Sequence, residues 1–189
     1  MGILLISKKN QKILLSLART SIRYGLEFSK PVSVQLSQFP KELQENRASF
    51  VTLHLQDKLR GCVGVIEAIR PLAEDVACNA FASAFHDDRF PPLAQKEFSD
   101  LKIHISILST PEILKPFSEE ALLQTLRMGV DGLILKEGHR KATFLPSVWD
   151  QIGSKEEFLT HLKLKAGFPP DYWSKDLEVF RYTTQGFGE

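Results

Sequence analysis

Leu59-Arg60-Gly61-Cys62-Val63-Gly64 carries the densest set of groups whose types and spacing could do chemistry together. Gly61 and Gly64 weaken an extended run by removing side chains and adding backbone freedom. The usual compensation is a bulge, a bend, or close approach by a ligand or another backbone. Period-two alternation in a strand sends Arg60 and Cys62 to one face, roughly 6 to 7 Å apart at Cα. A guanidinium at that distance favours thiolate over thiol, which makes Cys62 a candidate nucleophile. Read as packing, the same cysteine is a small buried hydrophobe. Spacing leaves both readings open.

A second group follows at His86-Asp87-Asp88-Arg89. As chemistry, it supplies a base, an orienting carboxylate and an anion clamp. As structure, an aspartate–arginine pair at a helix end fixes a loop while Phe90 plugs the core. His54, His104, His139 and His161 stand on separate elements without metal-like spacing. Cys62 and Cys78 are the two cysteines, too few for a disulfide framework or a four-ligand zinc set, so no metal is expected. Gly61-Cys62-Val63-Gly64 is too short for a phosphate loop and lacks its Lys-Ser/Thr ending. With no iron–sulfur cysteine set and no nucleotide fingerprint, no cofactor is expected, and any redox step must come from a partner.

The elements that would position these groups can be read from periodicity. Ile13, Leu14, Leu17, Ala18 and Ile22 recur at helical spacing from Asn10 to about Tyr24, with Gly25 as terminator. Phe50 to Leu55 alternates as a strand, Gln56-Asp57-Lys58 turns, and Leu59 to Ile66 returns as its hairpin partner. Pro71 opens a helix bearing Leu72, Val76, Ala77, Ala80, Phe81 and Ala84, which must end before Pro91-Pro92. Leu101 to Leu108 is the clearest strand, with Ile103, Ile105 and Ile107 against Lys102, His104 and Ser106. A short helix over about Ser118 to Arg127, strands over Gly132–Lys136 and Lys141–Leu145, and a helix capped by Ser154 and Glu157 follow. Leu177 to Tyr182 is the last strand and residues 183–189 a tail. Trp149, Phe158, Phe168, Tyr172 and Trp173 read as core, with a partner-binding rim at Tyr172-Trp173 as the alternative. Hairpins with helices between them predict an α+β fold, a largely antiparallel sheet with helices packed on it.

Composition narrows the class. Of 189 residues, 43% are hydrophobic and 25% charged, enough apolar material for a core without staples. A net charge of +1 argues against bulk binding to a phosphate backbone, so a nucleic-acid partner is not expected. The opening Met1–Ile6 is apolar but stops at Ser7-Lys8-Lys9, too short for a signal core or membrane span. Met1-Gly2 lacks the preferred hydroxyl spacing of a myristoylation start. The expected location is the cytoplasm.

Several runs occur in an order that resembles a known family. Phe50-Val51-Thr52-Leu53, LRGCVG, Asp88-Arg89-Phe90, Ile105-Ser106-Ile107-Leu108-Ser109, Phe144-Leu145-Pro146 and Lys165-Ala166-Gly167 together look like the AMMECR-one domain family, whose hallmark is LRGC(I/V)G. The resemblance spans residues 10–182 and implies one α+β domain built from two closely joined subdomains. It also implies association with a Memo-like protein of dioxygenase fold and a radical-SAM protein, the AmmeMemoRadiSam set, but no reaction. Two positions depart from the pattern. Asp88 stands where the family commonly has proline, and His104 where many relatives carry Glu, so a non-catalytic role is inferred for position 104. The expected site comprises Cys62 as candidate nucleophile, with Arg60, Gly61, Gly64, Asp87 and Arg89 binding a small anionic ligand. The competing expectation is an adaptor that docks one of those partners on the same rigid turn. Whether the chain is an enzyme stays open.

Overall fold

The structure, a computed structural model, describes residues 5–116 and 118–189. Residues 1–4, part of the apolar opening expected above to be too short for a signal core or membrane span, lie outside the described residues. The chain divides into two units, one of residues 1–108 with 185–189 and one of residues 109–184.

The first unit is built on a sheet of order β2-β1-β3-β8, from Ser49–Leu55 (β1), Lys58–Gly64 (β2), Leu101–Leu108 (β3) and Thr184–Gly188 (β8). Gln56 and Asp57 turn β1 into β2 with φ of 52° and 60°, the two-residue geometry that matches strand twist. β3 alternates as expected: Ile103, Ile105 and Ile107 join Val51 and Leu53 in the core, while Thr52, His54, His104 and Ser106 face the other way and are half-buried. Onto the core side pack α1 (Lys8–Phe28) through Leu14, Ala18 and Ile22, and α3 (Leu72–Phe85) through Val76, Ala80 and Ala84. A short helix α2 (Lys41–Gln44) precedes the sheet. α1 starts at Ser7, whose hydroxyl accepts the Asn10 N–H, and runs past the expected stop at Gly25. Gly25 lies inside the helix, and a Cβ there would meet the Phe85 and Phe81 rings at 2.5 and 2.6 Å, so the contact with α3 requires a glycine at this position.

Residues 184–188, expected in a tail, form β8 instead. Phe187 is buried in the first core, and the Gln185 side chain accepts the Ile6 N–H at 2.7 Å while donating to the Ile6 carbonyl at 3.0 Å. Glycines at 186 and 188 hid this strand from propensity. β2 also ends at Gly64, earlier than its expected end at Ile66.

The second unit has a sheet of order β4-β7-β5-β6, from Glu112–Leu114 (β4), Gly132–Glu137 (β5), Arg140–Phe144 (β6) and Glu178–Tyr182 (β7). Ser118 caps α4 (Glu119–Thr125) and Ser154 caps α5 (Lys155–Lys165). Trp149 stacks on Phe158 with centroids 3.8 Å apart, its indole N–H donating to the Asp131 carbonyl at 2.7 Å. Phe168 is buried beside this stack, and Tyr172 and Trp173 pack half-buried against it. Two antiparallel four-stranded sheets with packed helices make the fold α+β. Among the described residues no helix is long and apolar enough to cross a membrane.

Candidate functional site

β2 is an edge strand, so one side of its backbone has no neighbouring strand. Its inner side meets α3 at unusually close range. A Cβ on Gly61 would overlap the Ser83 carbonyl oxygen, and one on Gly64 would overlap the Phe50 ring and the Ser49 carbonyl. Both glycines are thus approached by the chain itself. The Ser83 hydroxyl accepts the Val63 N–H at 2.9 Å and donates to the Val51 carbonyl at 2.7 Å. Val51 and Val63 are paired across the ladder, so the hydroxyl bridges a strand pair from a helix.

On the outer side, Asp87 and Arg89 take the place of a neighbouring strand. The Cys62 N–H donates to Asp87 Oδ2 at 2.8 Å, and Arg89 Nη2 donates to the Cys62 carbonyl at 3.3 Å. Arg89 grips the same carboxylate with Nε at 2.9 Å and Nη2 at 2.7 Å, and its backbone N–H adds a bond at 3.2 Å. The Arg89 guanidinium, with these backbone donors, holds the Asp87 carboxyl well below the usual carboxylate range against the opposing effect of burial. Asp87 is buried while the Arg89 side chain is 56% exposed. The Cys62 thiol is half-buried, and its sulfur lies 3.3 Å from the Thr52 hydroxyl across the strand pair.

Arg60 does not follow the expected alternation. Leu53 pairs with Gly61 and His54 with Leu59, which leaves Arg60 as the extra residue of a bulge. Its guanidinium goes to Glu97, with Nε–Oε1 at 2.8 Å and Nη2–Oε2 at 3.1 Å, and Nη2 also donates to the Pro91 carbonyl at 2.9 Å. The Arg60 pairing keeps the Glu97 carboxyl below its ordinary value. Arg60 Nη1 is buried with no hydrogen-bond partner among the described residues. Both guanidinium groups lie over the Phe90 ring, Arg60 at 5.9 Å and Arg89 at 5.5 Å.

The structure therefore joins Cys62, Asp87 and Arg89 in one hydrogen-bonded set and ties Arg60 to Glu97 beside it. Glu97, Ser83 and Thr52 carried no signal in the sequence, because their roles depend on pairings between distant segments. His54 and His104, read as unrelated, share the sheet face opposite the helices, with Thr52 paired to His104 and His54 to Lys102. They line a shallow depression of about 270 Å³ together with Asp57, Lys102, Ile103, Gly188 and Glu189. Among the described residues no three His, Cys, Asp or Glu side chains are grouped to hold a metal ion.

Comparison with known proteins adds a family and a fold. A family model described as AMMECR1 matches residues 15–187. The protein MJ0810 of Methanocaldococcus jannaschii is 37% identical over 160 residues, covering 82% of this chain and 80% of that protein. A protein of Methanothermobacter thermautotrophicus is 34% identical, covering 97% of this chain and 96% of its own length. The crystal structure of the uncharacterized protein PH0010 from Pyrococcus horikoshii superposes with a TM-score of 0.88 at 34% identity, over 97% of this chain and 93% of that one.

Proposed function

Because the chain belongs to the AMMECR1 family, we propose that it is a binding protein whose docking element is the corner between β2 and α3, not a self-sufficient enzyme. The observation that carries this reading is the Asp87 carboxylate, which takes the Cys62 N–H and the Arg89 guanidinium at once. A charge-neutral, hydrogen-bonded corner is a rigid surface for a partner. It is a poor anion clamp, because the cation that would meet an anion already has its counterion. Arg60, held by Glu97, is spent in the same way. The partner on this reading is a Memo-like or radical-SAM protein, the association that the family resemblance implies.

A second reading keeps a ligand or active-site pocket at LRGCVG. It is favoured by the unpartnered Arg60 Nη1 and by the half-buried Cys62 thiol. Iodoacetamide separates the two. In the adaptor reading, Cys62 in the free chain reacts no faster than a simple thiol. Adding a recombinant Memo-like or radical-SAM protein slows it, and Arg89→Glu abolishes that protection. Cys78, whose thiol is pushed up by burial, serves as the internal control. Reaction of Cys62 faster than a simple thiol, and slowed by Arg60→Ala, would sink the adaptor and restore the nucleophile.

A further inference from the structure

The depression on the face of the first sheet opposite the helices contains polar groups with no hydrogen-bond partner among the described residues. Neither the His54 nor the His104 imidazole makes a hydrogen bond among the described residues, although both line it and both are half-buried. His104 is seated by glycine: a Cβ on Gly186 would lie 2.9 Å from its Nε2, and one on Gly188 would lie 3.0 Å from its Nδ1. The ring is thus laid over β8, and larger residues there would displace it.

The charged groups facing these rings can be taken in turn. Lys102, on β3, is paired across the sheet with His54 and donates to Asp57 Oδ1 at 2.8 Å. Asp57, on the β1–β2 turn, is held below the ordinary aspartate value first by Lys102 and in smaller part by the nearby His54. Glu189 is tied to Arg19 of α1 and to the Ile103 N–H. Three groups able to carry positive charge therefore line one depression. Of the two carboxylates that line it, Glu189 is tied to Arg19 and Asp57 to Lys102; unlike the buried Asp87, Asp57 is 84% exposed, and an exposed pair of this kind is weak enough for an incoming anion to displace.

We propose that this depression is a site for a small oxyanion, a phosphate or carboxylate group, whose place beside Lys102 is held in the free protein by the Asp57 carboxylate. The imidazole N–H groups of His54 and His104 are the remaining donors, and the glycine seat keeps His104 turned along the rim. The site is separate from the Cys62 corner and does not rest on its role. Burial, and secondarily His54, hold His104 below the ordinary histidine value, which favours the neutral ring in the free protein. An incoming anion favours the protonated ring, so binding takes up protons and tightens as the pH falls.

The test is a titration of the full chain with inorganic phosphate at pH 7.5 and pH 6, following the imidazole resonances of the five histidines, with acetate in parallel. Phosphate should move His54 and His104 saturably and leave His86, His139 and His161 in place, and the pH effect should be read with acetate, which stays anionic at both values and should bind more tightly at pH 6. Acetate acting equally well would assign a carboxylate ligand, and acetate acting weakly a phosphate. Asp57→Asn removes the competing charge and retains the turn, since asparagine tolerates its positive φ. Phosphate affinity should then rise about five-fold, the effect of one unit charge about 4 Å away in water. Lys102→Met should abolish saturation. No saturable shift in Asp57→Asn at either pH, or equal shifts at all five histidines, would overturn the proposal.

Discussion

Asp87 is the residue on which most of the corner's hydrogen bonding converges. It accepts from the Cys62 N–H and from three donors of Arg89, and truncating it leaves a half-buried N–H without that partner. Asp87→Ala should therefore cost about 1 to 2 kcal/mol in urea unfolding, the range for losing hydrogen bonds to a charged group at a half-buried position. The pH dependence has a definite sign. Asp87 and Glu97 are both depressed by their arginine partners, so their stabilisation is fully present above the ordinary values of 3.8 and 4.5 and is lost as the pH falls below them. Urea midpoints should fall as the pH is lowered below the ordinary carboxylate values, and less steeply in Asp87→Ala. Cys62, Asp87 and Arg89 stand out as candidates by type, order and family resemblance, but their joining through the Cys62 N–H is visible only in the fold. The partner of Arg60 was not legible in the sequence, because Glu97 lies far along the chain and a bulge breaks the alternation that would have aimed Arg60 at the thiol.

At the scale of elements, the contact between β2 and α3 is governed by small groups. The Ser83 hydroxyl fills the space between Val51 and Val63, and Gly61 admits the Ser83 carbonyl. Ser83→Ala leaves a carbonyl and an N–H facing a gap and should cost about 1 to 3 kcal/mol. Hydrogen exchange of the Val63 amide should speed up more than that of the β3 amides. Gly61→Ala drives a methyl into backbone that cannot yield, and overpacking of about 1 to 3 kcal/mol or more is expected from thermal unfolding. The same contacts explain what could be read of the elements beforehand. β3 was legible because its isoleucines alternate against Lys102, His104 and Ser106. β8, with Gly186 and Gly188, has the composition of a tail, and only pairing beside β3 and the burial of Phe187 make it a strand.

For the whole molecule, the division into units means two separate apolar cores, one around Ile103 and Ile105 and one around Phe158 and Leu159. Deleting residues 185–189 removes Phe187, the Gln185 clasp on Ile6 and the Glu189 pairing with Arg19. The first unit should lose about 3 to 5 kcal/mol, as for truncation of a buried aromatic side chain. Exchange protection of Leu133 and Val179 in the second should be unchanged. The second unit enters and leaves at neighbouring points: the Ser109 N–H donates to the Thr183 carbonyl at 2.9 Å, and the Thr183 N–H to the Ser109 hydroxyl at 3.0 Å. A segment whose two ends are clasped in this way is, in polymer terms, a closed loop, and its length can change at small entropic cost because the cost of closure grows only with the logarithm of loop length.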